Sequence, residues 1–144
     1  MVEETKMREI QNKKFSLFIG RWSPFHIGHD YIIRKALDAG KNVWIAIRNT
    51  PLSEFDPYSH EDRLTMLLSH FEKEVTEEQV VITVIPDIES VNIGRGVGYD
   101  IIEYDPPKHI KGISATKVRK MMDEGDKTWK EFVPPTIAEY LQNL

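Results

Sequence analysis

Residues 20–33 read GRWSPFHIGHDYII, and this stretch decides how the chain folds. It follows the apolar run KFSLFI (14–19), which is typical of a strand buried on both faces. It leads into a helical pattern that stops near Gly40, a residue type common just beyond a helix end. A proline, two glycines and two histidines therefore occupy the connection between a strand and a helix.

Two further apolar runs, VWIAI (43–47) and VVITVI (80–85), have the same character, and helical patterns separate the three runs. Strands that alternate with helices predict an α/β fold with a parallel sheet. The stretch GYDIIEYD (98–105) adds a fourth, peripheral strand. We expect a single Rossmann-like domain over residues 14–144, with a parallel sheet of four to five strands flanked by helices. Residues 1–13 are polar and are expected to form an N-terminal tail.

The expected helices have recognisable starts and apolar faces. Ser59, followed three residues later by Asp62, has the spacing of a capping box, and Ser114 is placed to cap a later helix. Helical spacing predicts a buried face in each of three helices, formed by Leu64, Leu67, Leu68 and Phe71, by Val118, Met121 and Met122, and by Ile137, Tyr140, Leu141 and Leu144.

The composition excludes several classes of function. The chain of 144 residues has a net charge of −4 and no cysteine. The acidic balance argues against a nucleic acid partner, and the absence of cysteine excludes disulfides and thiolate zinc sites. The sequence also lacks an apolar run of about 20 residues that could span a membrane. We expect a cytoplasmic homo-oligomer with small-molecule substrates and no nucleic acid or membrane partner.

The loop after the first strand has the chemistry of a phosphate site. Ligands of open α/β sheets bind beyond the carboxyl ends of the strands. Gly20 lets the backbone approach a ligand, Arg21 supplies a cation, and Gly28 leaves room for an anion. His26 and His29 lie at the positive end of a helix, where phosphate is favoured. In the alternative reading, the first histidine only caps the turn and the second is an exposed helix residue.

The stretch GISATKVRK (112–120) describes a second anion site of lower specificity. Ser114 and Thr116 supply hydroxyl groups and Arg119 supplies a guanidinium at a helix start. An ordinary capped helix with solvated basic residues explains the same pattern equally well. The glycine-rich stretch GRGVG (94–98) is neither a Walker loop nor a dinucleotide fingerprint, and it is interpreted as a turn.

Taken together, GRWSPFHIGH (20–29) and ISATKVR (113–119) resemble the HxGH nucleotidyltransferase superfamily, which carries GRFxPFHxGH early and ISxTxxR late. The segment DPYSHEDRLTML (56–67) is similar to the NPFTxxERxxML segment of that family, and FVPPTIAEYL (132–141) is similar to its usual ending. Within the superfamily, the resemblance points to archaeal-type nicotinamide-nucleotide adenylyltransferases.

The resemblance implies that the chain transfers an adenylyl group from ATP to a phosphorylated acceptor, such as nicotinamide mononucleotide, and releases pyrophosphate. The acceptor phosphate attacks the α-phosphorus in line, and Mg²⁺ arrives bound mainly to the triphosphate. The implied catalytic residues are His26, His29 and Arg119. The implied nucleotide-binding residues are Gly20, Arg21, Trp22, Ser23, Gly28, Ser114 and Thr116. We assign acceptor contacts to Arg48, Asp87 and Asn92, and no residue to a metal.

Departures from the family pattern concern the acceptor side. The segment between the third strand and ISATK is shorter than in those enzymes, and Phe55 stands where relatives often carry arginine, so that Arg48 substitutes for it. Three alternatives stay open: a cytidylyltransferase that acts on a phospho-alcohol, a non-catalytic nucleotide-binding sensor, and a fragment of a class I aminoacyl-tRNA synthetase. The last has the signature HIGH (26–29), but this chain is short and acidic for a tRNA-binding protein.

Overall fold

The computed structural model describes residues 13–96 and 98–144. The expected N-terminal tail lies outside the described residues, apart from Lys13. The sheet is parallel and has the strand order β1-β2-β3. Its strands are β1 (Phe15–Gly20), β2 (Asn42–Asn49) and β3 (Val80–Pro86). The expected α/β class with an open parallel sheet is confirmed.

Helices follow each strand. The helices are α1 (Ile27–Asp38), α2 (His60–His70), α3 (Glu72–Thr76), α4 (Lys108–Lys111), α5 (Ala115–Asp123), a 3-10 helix (Lys127–Phe132) and α6 (Pro135–Gln142). Helices α1 and α2 pack on β2, and α6 packs on α2. None of the helices in the described ranges is long and apolar enough to cross a membrane.

The register of the sheet brings the strand ends together. Gly20 of β1 pairs with Ile47 of β2, which pairs in turn with Val84 of β3. The three strands therefore finish at the same edge of the sheet. As a result, the loops that begin at Arg21 and Asp87 start on either side of the end of β2, as expected for an open α/β sheet.

The core lies between the sheet and the helices. Val43, Ile45 and Ile47 share one face of β2 and are fully buried. They join Ile33 of α1 and other apolar side chains in one continuous cluster. Trp44, on the opposite face of β2, is only partly buried, and its indole N–H donates to the hydroxyl group of Thr83 at 2.7 Å. The second face of the sheet is thus covered less completely than the apolar runs predict.

Helix caps explain where the helices begin and end. The Ser59 hydroxyl accepts a hydrogen bond from the backbone N–H of Asp62 at 3.0 Å, and the Ser114 hydroxyl caps α5 in the same way. The Asp62 carboxylate accepts from the Tyr140 hydroxyl at 3.1 Å, so only the serine half of the capping box forms. Gly40, with φ at +78°, follows the last turn of α1.

Residues 98–105, expected as a fourth strand, form no strand. Within residues 13–96 and 98–144, the sheet therefore has three strands rather than four to five. Ile101 and Ile102 are adjacent, and an extended segment would point them to opposite sides. They are 73% and 51% exposed. Tyr104 instead stacks its ring on that of Phe18, with centroids 5.9 Å apart. This segment therefore contacts β1 through a side chain and not through backbone pairing.

Two helical faces differ in detail from the prediction. The buried side chains of α2 are Arg63, Met66 and Leu67, whereas Leu68 is 40% exposed. An arginine therefore occupies a core position, and the buried face is rotated relative to the leucine pattern. At the carboxyl end of the chain, Leu144 is 60% exposed because α6 ends before it.

The glycine-rich stretch 94–98 contains a turn, as its composition predicts. Gly96 and Gly98 have φ values of +65° and +77°, in the region that side-chain-bearing residues seldom adopt.

Candidate active site

The two histidines of the first loop cap helix α1 reciprocally. His26 is the N-cap residue, and its Nδ1 accepts from the backbone N–H groups of Gly28 at 3.0 Å and His29 at 3.3 Å. In return, Nδ1 of His29 accepts from the backbone N–H of His26 at 3.2 Å. This is the arrangement of a capping box, built from two imidazoles instead of a hydroxyl and a carboxylate. The motif therefore starts the helix as well as lining the site.

The imidazole rings of the two histidines stack on each other. Their centroids are 3.5 Å apart and their planes differ by 21°. Gly28 makes room for this stack, because a Cβ atom there would lie 2.8 Å from Cε1 of His26. The His29 ring also lies against the rings of Trp22 and Phe25, at 4.8 and 5.5 Å between centroids. His29 is thus packed among aromatic rings and is not the exposed helix residue of the alternative reading.

Both imidazoles are neutral at pH 7. Burial lowers the pKa of His26 to about 4. Burial, with a smaller contribution from His26, lowers the pKa of His29 well below its usual value. Because each Nδ1 accepts a hydrogen bond, each neutral ring carries its proton on Nε2. The pair therefore offers a ligand two N–H donors whose orientation the capping bonds hold.

Arg119 connects helix α5 to the same loop. Its guanidinium donates to the carbonyl of Ser23 and to the Thr116 hydroxyl, the latter at 3.3 Å. Burial and the nearby charge of Arg21 lower the pKa of Arg119, while Asp56 acts in the opposite direction. Arg21 is exposed. Two guanidinium groups that repel each other would both gain from an anion between them.

Other residues of the first loop support its shape. Trp22 is 5% exposed, and its indole N–H donates to the carbonyl of Ala46 in β2 at 3.1 Å. A Cβ atom at Gly20 would lie 3.0 Å from this indole, so the glycine accommodates the ring. The Ser23 hydroxyl is buried without a hydrogen-bond partner among the described residues. The tryptophan therefore anchors the loop to the neighbouring strand.

The three residues assigned to the acceptor do not all come together. Arg48 and Asp87 meet at the ends of β2 and β3, where Nε and Nη2 of the arginine lie 2.9 and 2.8 Å from Oδ1. The same carboxylate oxygen accepts from the backbone N–H of Ile88 at 2.9 Å. Asn92 is exposed, and its amide donates to the Ser90 hydroxyl at 2.9 Å. Among the described contacts, none joins Asn92 to the other two.

A buried ion pair that the sequence patterns did not predict lies beneath the site. Arg63 and Asp56 are 0% and 1% exposed, and Nε of the arginine lies 3.9 Å from Oδ1 of the aspartate. Thr50 donates a hydrogen bond from its hydroxyl to the other carboxylate oxygen. The signal was present in the helical spacing, because Arg63 precedes the apolar Met66 and Leu67 by three and four residues. A charge on that face indicates a buried partner.

A cleft of about 1600 Å³ opens beside the two histidines. His26, Gly28 and His29 line one part of it, and β1 and residues 98–104 line its length. Small-molecule sites are typically about 300–1000 Å³. The cleft as a whole exceeds this range, and the two histidines occupy only one part of its wall.

The lowered pKa of His26 predicts that stability depends on pH. The unfolded chain binds a proton near pH 6.5, whereas folded His26 binds one at about pH 4, so the unfolded state holds more protons between these values. The contribution of neutral His26 to the free energy of unfolding is complete above pH 6.5 and is lost as the pH falls towards 4. We expect the urea midpoint to fall between pH 7.5 and 5, and to fall less in His26→Asn, which keeps an N-cap acceptor. Identical pH dependence in both proteins would contradict this assignment.

Comparisons with known proteins agree with the motifs. The family model described as cytidylyltransferase-like matches residues 17–77. A nicotinamide-nucleotide adenylyltransferase of Pyrobaculum arsenaticum is 28% identical over 89% of this chain and 87% of its own length. The corresponding protein of Thermococcus kodakarensis is 26% identical over 91% of this chain and 84% of its own.

Among solved structures, a bifunctional NMN adenylyltransferase/ADP ribose pyrophosphatase from Francisella tularensis matches with 38% sequence identity and a TM-score of 0.44. The match covers 52% of this chain and 23% of that protein. These sequence relatives and the family model together confirm the resemblance of this chain to the HxGH nucleotidyltransferases, and among them to archaeal nicotinamide-nucleotide adenylyltransferases.

Proposed function

We propose that this chain is a nucleotidyltransferase that transfers an adenylyl group from ATP to a phosphorylated acceptor and releases pyrophosphate. The observation that carries the proposal is the stacked pair of neutral histidines at the start of α1, beside a large cleft. The names of the relatives make nicotinamide mononucleotide the first acceptor to test. The proposal assigns the activity to a single domain over residues 14–144.

In the proposed reaction, an oxygen of the acceptor phosphate forms a bond to the α-phosphorus of ATP. The bond between that phosphorus and the α–β bridging oxygen breaks, and its electron pair leaves with pyrophosphate. The step requires no covalent nucleophile from the protein. Catalysis of this kind comes from positioning the reactants and from stabilising charge on the phosphate oxygens.

The two histidines supply the donors for this charge. Nε2–H of His26 and of His29 would bind oxygens of the α- and β-phosphates. Their Nδ1 atoms are held by backbone N–H groups, so the donors need little reorganisation as negative charge grows on the leaving group. Each imidazole stays neutral, so its Nδ1 is unprotonated and can still accept the capping hydrogen bonds of α1. Protonation of Nδ1 would break this cap.

The arginines would neutralise the remaining charge. We assign the β- and γ-phosphates to Arg119 and Arg21. The two arginines lie close enough together for the charge of Arg21 to lower the pKa of Arg119. Ser114 and Thr116 would add hydroxyl contacts at the start of α5. The other assigned nucleotide-binding residues, which shape the loop, are Gly20, Trp22, Ser23 and Gly28.

We assign the acceptor to the neighbouring strand ends. Arg48 would bind the acceptor phosphate, and Asp87 would orient its guanidinium through the ion pair described above. Asn92 lies farther along the irregular segment that follows β3, so its contact with an acceptor would require that segment to approach the strand ends.

Mg²⁺ enters the proposal with ATP, as part of the substrate. Triphosphate oxygens are its main ligands, since Mg²⁺ commonly binds through substrate phosphates and water. Across residues 13–96 and 98–144, no group of three or more histidine, aspartate or glutamate side chains is placed to hold a metal ion. We extend the proposal to a cytoplasmic location, because a chain without cysteine suits a reducing compartment. The expected homo-oligomer stays a prediction.

A screen of pyrophosphate release tests the function. Mg²⁺-ATP and Mg²⁺-CTP are each combined with nicotinamide mononucleotide and with a phospho-alcohol such as glycerol 3-phosphate. We expect turnover with ATP and nicotinamide mononucleotide. CTP is included because the matching family model is described as cytidylyltransferase-like. Faster turnover with CTP and the phospho-alcohol would replace the adenylyl assignment, and nucleotide binding without any turnover would favour a sensor.

The variant His26→Asn separates catalysis from capping. Asparagine accepts hydrogen bonds well at an N-cap position, whereas alanine there costs about 1 kcal/mol of stability. We therefore expect His26→Asn to unfold near the wild-type urea midpoint at pH 7.5, and His26→Ala to be less stable. Both should lose about 10²–10³-fold in kcat, as when one preorganised donor is removed. Normal turnover by folded His26→Asn would show that the histidine serves only the fold.

The variant Arg119→Ala tests the assignment of the β- and γ-phosphates. Loss of one charged hydrogen-bond partner costs about 1.5–3 kcal/mol, so ATP binding should weaken by about 10- to 150-fold and AMP binding much less. Titration calorimetry measures both affinities, and Lys120→Ala, at an exposed position on the same helix, is the control. Equal losses for ATP and AMP would mean that Arg119 acts through its bond to the Ser23 carbonyl.

A further inference from the structure

Arg63 connects two loops of the candidate site from below. Its side chain is fully buried. Nη1 donates to the carbonyl of Arg21 at 2.8 Å and to the carbonyl of Arg48 at 2.9 Å. Arg21 is the first residue after β1, and Arg48 is the penultimate residue of β2. One nitrogen atom therefore holds the main chains of the two arginines that the proposed function assigns to ATP and to the acceptor.

The same guanidinium is anchored at the start of α2. Its Nε lies within hydrogen-bond distance of the carbonyls of Tyr58 at 3.1 Å and Ser59 at 3.3 Å. A planar guanidinium is suited to this task, because its five N–H donors point in fixed directions from one rigid group. A lysine ammonium, which places its donors around a single atom, cannot span the same carbonyls.

The electrostatics indicate that Arg63 contributes more than packing. Burial lowers the pKa of Arg63, and Asp56 only partly compensates, with its oxygen 3.9 Å from Nε. Apolar side chains of similar size often replace a buried ion without loss of stability. A charge at this core position is therefore a poor choice for stability alone. Its particular contribution is the geometry of the four carbonyls that it binds.

We propose that Arg63 is a positioning residue of this site, which sets the loop after β1 and the end of β2 relative to each other. The proposal rests on the proposed function, in which Arg21 handles the triphosphate and Arg48 the acceptor phosphate. In-line transfer requires the attacking oxygen and the α-phosphorus to be aligned, and an error of about 1 Å can cost about 10²-fold in rate. Arg63 fixes the two elements that would carry these reactants.

The test compares three variants. Arg63→Lys keeps the charge but loses the planar fork, and Arg63→Met keeps much of the volume but loses the charge. The matched control is Leu67→Ala, on the buried face of the same helix, which destabilises the core by leaving a cavity but keeps the guanidinium. All measurements are made at a temperature at which circular dichroism shows that each variant is folded.

Two readouts separate positioning from stability. Hydrogen exchange without substrate, followed by mass spectrometry, should accelerate about tenfold or more at residues 20–24 and 47–51 in both Arg63 variants relative to Leu67→Ala. The kcat for adenylyl transfer should fall by about 10- to 100-fold in the Arg63 variants, and it should stay near the wild-type value in folded Leu67→Ala.

Several results would overturn the proposal. They are unchanged kcat in folded Arg63→Lys or Arg63→Met, an equal loss in Leu67→Ala, unchanged exchange in the two loops, or failure of both Arg63 variants to fold. A wild-type chain that transfers no nucleotidyl group overturns the proposed function instead. In that case, calorimetry with inorganic triphosphate replaces kcat, with about tenfold weaker binding expected for Arg63→Lys and no change for Leu67→Ala.

Discussion

The hydrogen bonds exchanged between His26 and His29 are the constraint on which the candidate site depends. Each imidazole uses Nδ1 to satisfy a backbone N–H at the start of α1, which leaves Nε2 for other partners. Folding and chemistry are thus divided between the two nitrogens of one ring. Gly28 is part of the same constraint, because any side chain at that position would collide with the His26 ring. The spacing of the motif is set by a helix cap as much as by a ligand.

Long side chains that donate to main-chain carbonyls hold the rest of the site. Arg63 binds the carbonyl of Arg21, Arg119 binds that of Ser23, and Trp22 reaches across to β2. The loop after β1 is therefore tied to α2, α5 and the neighbouring strand. A site whose donors are fixed rings needs such support, because small displacements weaken every contact at once.

The parts of this structure that depend on local pattern could be predicted from the sequence. Three strands, the start of α1 and the caps Ser59 and Ser114 follow from apolar runs and capping residues within a few positions. The prediction of a fourth strand was wrong, because the apolar content of residues 98–105 does not reveal whether the segment pairs with a neighbouring strand. Pairing depends on residues distant in sequence.

The same limit applies to the site. The two histidines and Arg119 stand in recognisable motifs, and the structure brings them to one loop. Which nitrogen of each imidazole caps the helix and which is left as a donor depends on the orientation of the ring. The spacing of residues in the sequence does not specify that orientation. The role of Arg63 was missed because four of its partners are backbone carbonyls, which have no signature in the sequence.

The open edge of the short sheet has a consequence for self-association of the protein in salt solutions. Among the described residues, β1 pairs only with β2, and Leu17 on this strand is 47% exposed. A free strand edge is a template for a strand of another molecule, and lysines near such an edge oppose that contact by charge repulsion. Lys14 stands at the entrance to β1, next to Lys13, whose ammonium lies 3.6 Å from a carboxylate oxygen of Glu78. Because 1 M salt shortens the screening length to about 3 Å, this repulsion is weakest in concentrated salt, where self-association through the open edge is most favoured.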